Sequence, residues 1–218
     1  MKKEEVRARI GKLAVIPAVR AANDEDALFA AEAVSRGGLP IVELTMTVPK
    51  ATELIGHLLK KHPQMIVGAG TVLDIETARA SLDAGARFIS SPGLDTEIVE
   101  FTAQAGVIAM PGALTPTEIM TAVKAGADFV KIFPCSQVGG VDYIRALKAP
   151  FPNTAFVAAG GVNQQTAGKY LAAGATAVGI GSDLIPPRAI TVREADWIEE
   201  LARRYVHTVK YLREQELV

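Results

Sequence analysis

Short apolar runs alternate along this chain with longer stretches that carry the mixed apolar and polar pattern of helices. Eight such runs occur: AVIPAVR (14–20), IVELTMT (41–47), IVGAGTV (66–72), FISSPG (88–93), VIAMPG (107–112), FVKIFP (129–134), AFVAAGG (155–161) and AVGIGS (177–182). Helical stretches between them close on small residues, as in SRGGLP (35–40), LDAGAR (82–87), AQAGV (103–107), VKAGAD (123–128) and LAAGAT (171–176). Glycine just past a helix takes the left-handed conformation that stops it. The runs recur every roughly 19–27 residues, about one strand, one helix and two short loops.

Apolar runs alternating with helices predict a parallel sheet buried on both faces. Eight of them favour a closed barrel over an open doubly wound sheet. The expected fold is therefore α/β: a single (β/α)8 TIM barrel domain over residues 1–218, with an N-terminal helix and a C-terminal closing helix. The opening MKKEEVRARIGKLAVIPAV mixes acidic with basic residues and lacks a cleavage site, which predicts a helix and not a signal peptide. The closing helix is expected from Val192 to about Gln215, packing through Trp197, Leu201, Tyr205, Val209 and Leu212. Pro17 is discordant, since proline removes a ladder donor; it is expected near the start of its strand, where the loss is smaller.

Composition narrows the function. The chain is 49% hydrophobic and 22% charged, enough for a substantial core. Its net charge is −1 with no basic run, which argues against nucleic acid and anionic membrane surfaces as partners. No apolar stretch approaches the ~20 residues of a membrane span. One cysteine excludes an internal disulfide and suits a reducing cytoplasm. Three scattered histidines, His57, His62 and His207, have no metal-ligand spacing.

Against this background a lysine inside Val130-Lys131-Ile132-Phe133 is out of place. Side chains alternate along a strand, so Lys131 shares a face with Phe133, while Val130 and Ile132 face the helices. A charged amine cannot sit under helices, so Lys131 is expected to face the barrel interior. In strand 2 the polar set Glu43, Thr45 and Thr47 shares one face. In strand 3, Thr71 shares a face with Ala69 and Val67, and in strand 1 Arg20 follows Ile16 and Ala18. These polar groups would gather at the C-terminal ends of the strands, where barrels keep their chemistry. The bland alternatives are solvated strand ends for Arg20 and Thr47, a loop hydrogen bond for Thr71, and a structural ion pair for Glu43 and Lys131. Such a pair often stabilises less than apolar residues of equal volume. The functional alternative is specific. Burial disfavours the ammonium form, and a partly neutral lysine is the nucleophile that forms a Schiff base with a carbonyl. Glu43 would supply the proton transfers.

AAGGVN (158–163) and GIGSDL (179–184) follow strands 7 and 8, where barrel loops often form a phosphate site with backbone N–H groups and a short helix N-terminus. Gly160, Gly161 and Gly181 permit close approach, and Ser182 adds a hydroxyl. Glycines that merely cap tight turns are the alternative.

Taken together these residues resemble the bacterial 2-keto-3-deoxy-6-phosphogluconate (KDPG) aldolases, which also cleave 4-hydroxy-2-oxoglutarate. VELT (42–45), VGAGTVL (67–73), SPGL (91–94), MPGALTPTE (110–118), VKIFP (130–134) and AAGGVN carry the resemblance over nearly the whole chain. It implies Lys131 as the Schiff-base lysine and Glu43 as the acid/base that moves protons through a bound water. It implies Thr71, Pro92 and Phe133 around the pyruvyl group and Gly160, Gly161 and Ser182 at the phosphate. It further implies no metal, no cofactor, a homotrimer, and a small-molecule substrate: a phosphorylated 2-keto-3-deoxy sugar acid, or pyruvate. Two positions depart from the commonest pattern. Thr47 stands where many members carry a carboxylate-binding arginine, leaving that task to Arg20, Thr71 and backbone donors. Ala159 stands where many have threonine. KIFPCS and GSDL lean towards relatives that cleave the galactonate epimer. Cys135 adjoins the site and reads as a packing residue, with no histidine near in sequence to activate it. Rival functions are a phosphate-binding barrel isomerase, decarboxylase or synthase, and a non-catalytic phosphosugar-binding barrel.

Overall fold

Residues 1–215 are described by a computed structural model. Eight parallel strands alternate with helices: β1 (Val15–Val19), β2 (Ile41–Thr45), β3 (Ile66–Gly70), β4 (Phe88–Ser90), β5 (Ile108–Met110), β6 (Val130–Ile132), β7 (Phe156–Ala159) and β8 (Ala177–Ile180). Their order in the sheet is β5-β4-β3-β2-β1-β8-β7-β6. The two end strands meet at a parallel bridge between Gly112 and Lys131. There the Lys131 N–H donates to Pro111 O at 2.8 Å and the Ala113 N–H to Lys131 O at 2.9 Å, so the sheet closes into a (β/α)8 barrel.

The connecting helices start where the sequence supplies caps. Asn23, Asp74 and Asp95 accept backbone N–H groups at the starts of α2 (Asp24–Arg36), α4 (Ile75–Asp83) and α5 (Thr96–Gln104). Thr115 and Glu118 form a reciprocal capping box on α6 (Pro116–Lys124), with proline in its first turn. At its far end Gly126 takes φ 100° and turns the chain into β6. Helix α3 (Ala51–Lys61) covers β2 and β3. After β6, α7 (Gly140–Lys148) and α8 (Ala167–Ala172) complete the ring.

The N-terminal helix α1 (Lys3–Leu13) stops the bottom of the barrel. It touches β1, β5 and β8, buries Val6 and Ile10, and ties Lys3 to Asp128 at 2.9 Å just before β6. A short helix, α9 (Pro187–Thr191), precedes the closing helix α10 (Ala195–Glu214). The buried stripe of α10 is Ile198, Ala202, Tyr205, Val209 and Leu212. Trp197 is 37% exposed and Leu201 is half-buried, so they are not the anchors expected. A strict step of four drifts around a 3.6-residue helix, and the stripe moves one position by the N-terminal end. Pro17 lies in the middle of β1 rather than at its start. It pairs with Ile180 on the β8 side, while pairing with β2 begins only at Ala18, so its missing N–H leaves no gap in the β2 ladder.

Two glycines of β3 shape the interior. An added Cβ at Gly68 would meet the Phe88 ring at 2.4 Å, and one at Gly70 would meet the Glu43 carboxylate at 2.3 Å. The inward face of β3 is thus Ile66, Gly68 and Gly70. Val67 and Ala69, both fully buried, face the helices. This reverses the face expected for strand 3. Thr71 lies past the strand end at φ 56°, a left-handed conformation that breaks the alternation before reaching it.

Candidate active site

Lys131 and Glu43 are central to strands on opposite sides of the barrel, and both point inward. The Lys131 Nζ donates to Glu43 Oε1 and Oε2 at 3.2 Å each, and to Ser90 Oγ at 3.1 Å. Residue exposures are 7% for Lys131, 3% for Glu43 and zero for Ser90. An ammonium has three N–H groups, and here each has one acceptor. The Phe133 ring stands with its centroid 5.7 Å from Nζ, a cation–π distance. The empty inner face of Gly70 makes room for the Glu43 side chain, which is the physical content of the GAG in VGAGTVL.

A cavity of about 280 Å³ opens over this pair. On one side it is lined by Ala18, Arg20, Glu43, Lys131 and Phe133, and on the other by residues 159–163, Gly179, Gly181, Ser182 and Asp183. Eight of the residues expected at the site therefore meet in one place: Arg20, Glu43, Lys131, Phe133, Gly160, Gly161, Gly181 and Ser182.

The far wall suits an anion. Gly160 and Gly161 take φ 84° and 79° in succession, which only glycine adopts readily. Cys135 N–H donates to Ala159 O at 2.7 Å and Ser136 N–H to Gly160 O at 3.1 Å, strapping the end of β6 to this turn. Ser136 Oγ packs so closely that a Cβ on Gly161 would lie 1.9 Å from it. Among the described residues the N–H groups of Gly161, Ser182 and Asp183 have no protein acceptor, leaving donors free at the rim. No helix begins at Ser182, so the short helix N-terminus that such loops often supply is not at this position. The chain instead makes one turn closed by Ile185 N–H to Gly181 O at 2.9 Å, and α9 starts only at Pro187. Two glycines and a proline pair around that turn disfavour an immediate helix. The Asp183 carboxylate is engaged by the Gln164 N–H at 3.1 Å and by the Tyr205 hydroxyl from α10.

Arg20 stands exposed at the rim, with its Nη1 3.1 Å from where a Gly181 Cβ would be, and has no ion pair among the described residues. It also borders a second cavity of about 430 Å³, shared with Thr47, Asp26 and Ile190. Thr47 bonds to Thr45 Oγ1 at 2.7 Å and lines that neighbouring cavity, not the one over Lys131. Thr71 and Pro92 line neither. Thr71 follows β3 with a left-handed backbone, and the Pro92 carbonyl packs against Gly112, where a Cβ would come within 2.1 Å. Buried Cys135 has its thiol pushed up to about 11 by desolvation, which fits a packing residue and not a nucleophile.

Ser90, Asn163 and Asp183 were not singled out from the sequence. For Ser90 a signal existed: it shares a strand face with Phe88, and a serine on an inward face needs a polar partner. The chemistry of Asp183 lies in its contacts with residues distant in the chain, which no local pattern reveals. Among the described residues no group of three or more His, Cys, Asp or Glu could hold a metal, and no helix is long and apolar enough to cross a membrane.

A closed barrel with an inward lysine–carboxylate pair under an anion-suited rim fits the barrel enzymes that act on carbonyl groups. Residues 6–201 match the KDPG and KHG aldolases, and the chain belongs to that family of carbon–carbon lyases. A 2-dehydro-3-deoxy-phosphogluconate aldolase of Pseudomonas aeruginosa is 33% identical over 206 residues, covering 92% of this chain and 93% of the relative. A 2-dehydro-3-deoxy-6-phosphogalactonate aldolase of Escherichia coli K12 is also 33% identical, over 93% of this chain and 96% of its own. The structure of a KDPG aldolase from Legionella pneumophila, with pyruvate captured at low pH as a covalent carbinolamine, matches with TM-score 0.82. Its identity is 31%, over 88% of this chain and 96% of that one.

Proposed function

We propose that this chain is a class I aldolase that reversibly cleaves 2-keto-3-deoxy-6-phosphogluconate to pyruvate and glyceraldehyde 3-phosphate. The observation that carries the reading is Lys131 Nζ, nearly buried and 3.2 Å from both oxygens of Glu43, at the head of a cavity that ends in glycine turns. Transfer of one proton from Nζ to Glu43 leaves a neutral amine that attacks the C2 ketone. Glu43 returns that proton to the alkoxide, takes a second from the nitrogen and passes it to the resulting carbinolamine hydroxyl; water leaves, and an iminium with one N–H forms. Loss of the C4 hydroxyl proton then breaks C3–C4. The bond pair moves into the enamine, and glyceraldehyde 3-phosphate departs. Protonation at C3 and addition of water release pyruvate and regenerate the amine. The covalent intermediate divides one difficult cleavage into easier steps.

Gly160, Gly161, Gly181 and Ser182 hold the phosphate in this reading. Arg20, with Thr47 nearby, supplies charge at the rim, and Phe133, with Thr71 and Pro92 as the family resemblance implies, flanks the pyruvyl group. No metal or cofactor enters the mechanism. Family membership further supports a homotrimer working in the cytoplasm. Mass spectrometry after borohydride reduction with pyruvate tests the reading, because a Schiff-base enzyme gains a reduced pyruvyl adduct on Lys131. An unmodified mass refutes it in favour of an isomerase, decarboxylase or binding barrel.

A second substrate reading rests on the E. coli relative that acts on the galactonate epimer, as similar in sequence as the phosphogluconate one. Steady-state rates on the two C4 epimers separate them. Cleavage of 4-hydroxy-2-oxoglutarate to pyruvate and glyoxylate uses the same lysine and leaves the phosphate wall empty.

A further inference from the structure

We propose that Ser90 is a further catalytic residue, whose hydroxyl accepts the N–H of the Lys131 iminium and keeps that nitrogen protonated while Glu43 moves protons on the substrate. This rests on the Schiff-base reading above. Ser90 closes β4, fully buried, with its Oγ 3.1 Å from Nζ and no other side-chain hydrogen bond among the described residues.

The argument follows the count of N–H groups on nitrogen. As an ammonium, Nζ has three donors, matched by two Glu43 oxygens and Ser90 Oγ. Condensation with the ketone leaves the iminium nitrogen one C–N double bond, the bond to Cε and a single N–H. That N–H needs one acceptor. Glu43 is at that stage committed to the departing hydroxyl and then to the C4 hydroxyl. A carboxylate in contact would also compete for the iminium proton, and losing it would remove the electron sink that C3–C4 cleavage requires. A serine hydroxyl accepts the hydrogen bond without taking the proton. No atom or electron passes to Ser90. Its part is to hold one proton on one nitrogen.

The charged and titratable groups facing Nζ are few. Glu43 reaches it from β2, while Arg20 at the end of β1 and Asp183 beyond β8 line the same cavity. Substituting Ser90 alters none of them, so a change in pH dependence reports on the iminium.

The test compares the wild type with Ser90→Ala and Ser90→Thr. The measurements are the pH profile of kcat and the borohydride-trapped pyruvate adduct. Ser90→Ala is expected to keep the adduct and a near-wild-type KM. Its kcat should fall roughly 10- to 100-fold, the loss of one hydrogen bond to a charged group, and its alkaline limb should move to lower pH. Ser90→Thr, which keeps the hydroxyl, should hold the limb at its wild-type position. An alanine variant with unchanged kcat and limb overturns the proposal, as does a threonine variant whose limb moves like alanine's. A wild-type protein that traps no pyruvate would instead refute the Schiff base itself, and the serine's role with it.

Discussion

Replacing Gly70 with alanine puts a single methyl group where the Glu43 side chain lies. The added carbon would sit 2.3 Å from Oε1, 2.4 Å from Cγ and 2.5 Å from Cδ. Glycine here has no left-handed backbone to lose, so the conflict is steric alone. Recovering an ordinary contact displaces the carboxylate by about 1 Å, a misplacement that can lower a rate ~10²-fold. Overpacking should also destabilise the fold by about 1–3 kcal/mol, roughly 2–4 °C per kcal/mol in a chain of this size. Gly56→Ala is the control. It lies inside α3 with its nearest neighbour, Ala84 O, at 3.7 Å. It should gain about 0.5–1 kcal/mol of helix stability and leave kcat unchanged. The assay is steady-state release of pyruvate beside a thermal melt of each variant. A Gly70→Ala enzyme with wild-type kcat would refute the placement of Glu43 against β3, and with it the account of the GAG motif.

Lys131→Ala is expected to abolish turnover and the trapped pyruvate adduct; trapping that survives would show that another amine reacts. Glu43→Gln should keep the fold and lower the rate ~10²–10⁴-fold, the range for a positioned acid/base, and a near-wild-type rate removes it from the mechanism. Gly161→Ala combines a φ of 79° with a Cβ 1.9 Å from Ser136 Oγ. It should raise KM for the phosphorylated substrate about tenfold, one hydrogen bond's worth, and spare cleavage of 4-hydroxy-2-oxoglutarate; equal losses on both would place the phosphate elsewhere. Burial holds the Cys135 thiol at about 11 against an ordinary 9.0. Because the folded form binds that proton more tightly, the stability it contributes is complete below pH 9.0 and is lost as pH rises through about 11. Urea midpoints across that window should fall less steeply for Cys135→Ala than for the wild type, and parallel slopes would contradict this.

Much of the site was readable because single residues violated their surroundings. Lys131 among Val130, Ile132 and Phe133 fixed its own direction, and strand alternation carried Glu43 and Thr45 inward with it. The same alternation misled at Val67 and Ala69, which face the helices, and it cannot carry through to Thr71, because one left-handed residue past a strand end cancels it. Alternation puts Ser90 on the face of Phe88, but only the Lys131 amine 3.1 Å away shows what its hydroxyl meets. The glycines of β3 carry no reading in the sequence; in the fold they are absences that make room for Phe88 and Glu43, a role that depends on which strand lies opposite. On α10 the helix was legible, but its buried face came out one residue away because a step of four is not 3.6.

The barrel's seam has a consequence for how this enzyme fails. The ring is joined between its first five strands and its last three beside Lys131, whose own amide and carbonyl make the bridging bonds to Pro111 and Ala113. The proposed nucleophile is thus also the rivet, and fraying of that joint on warming would swing the amine away from its carboxylate before the helices melt. Heat should therefore silence the enzyme several degrees before circular dichroism records any loss of structure.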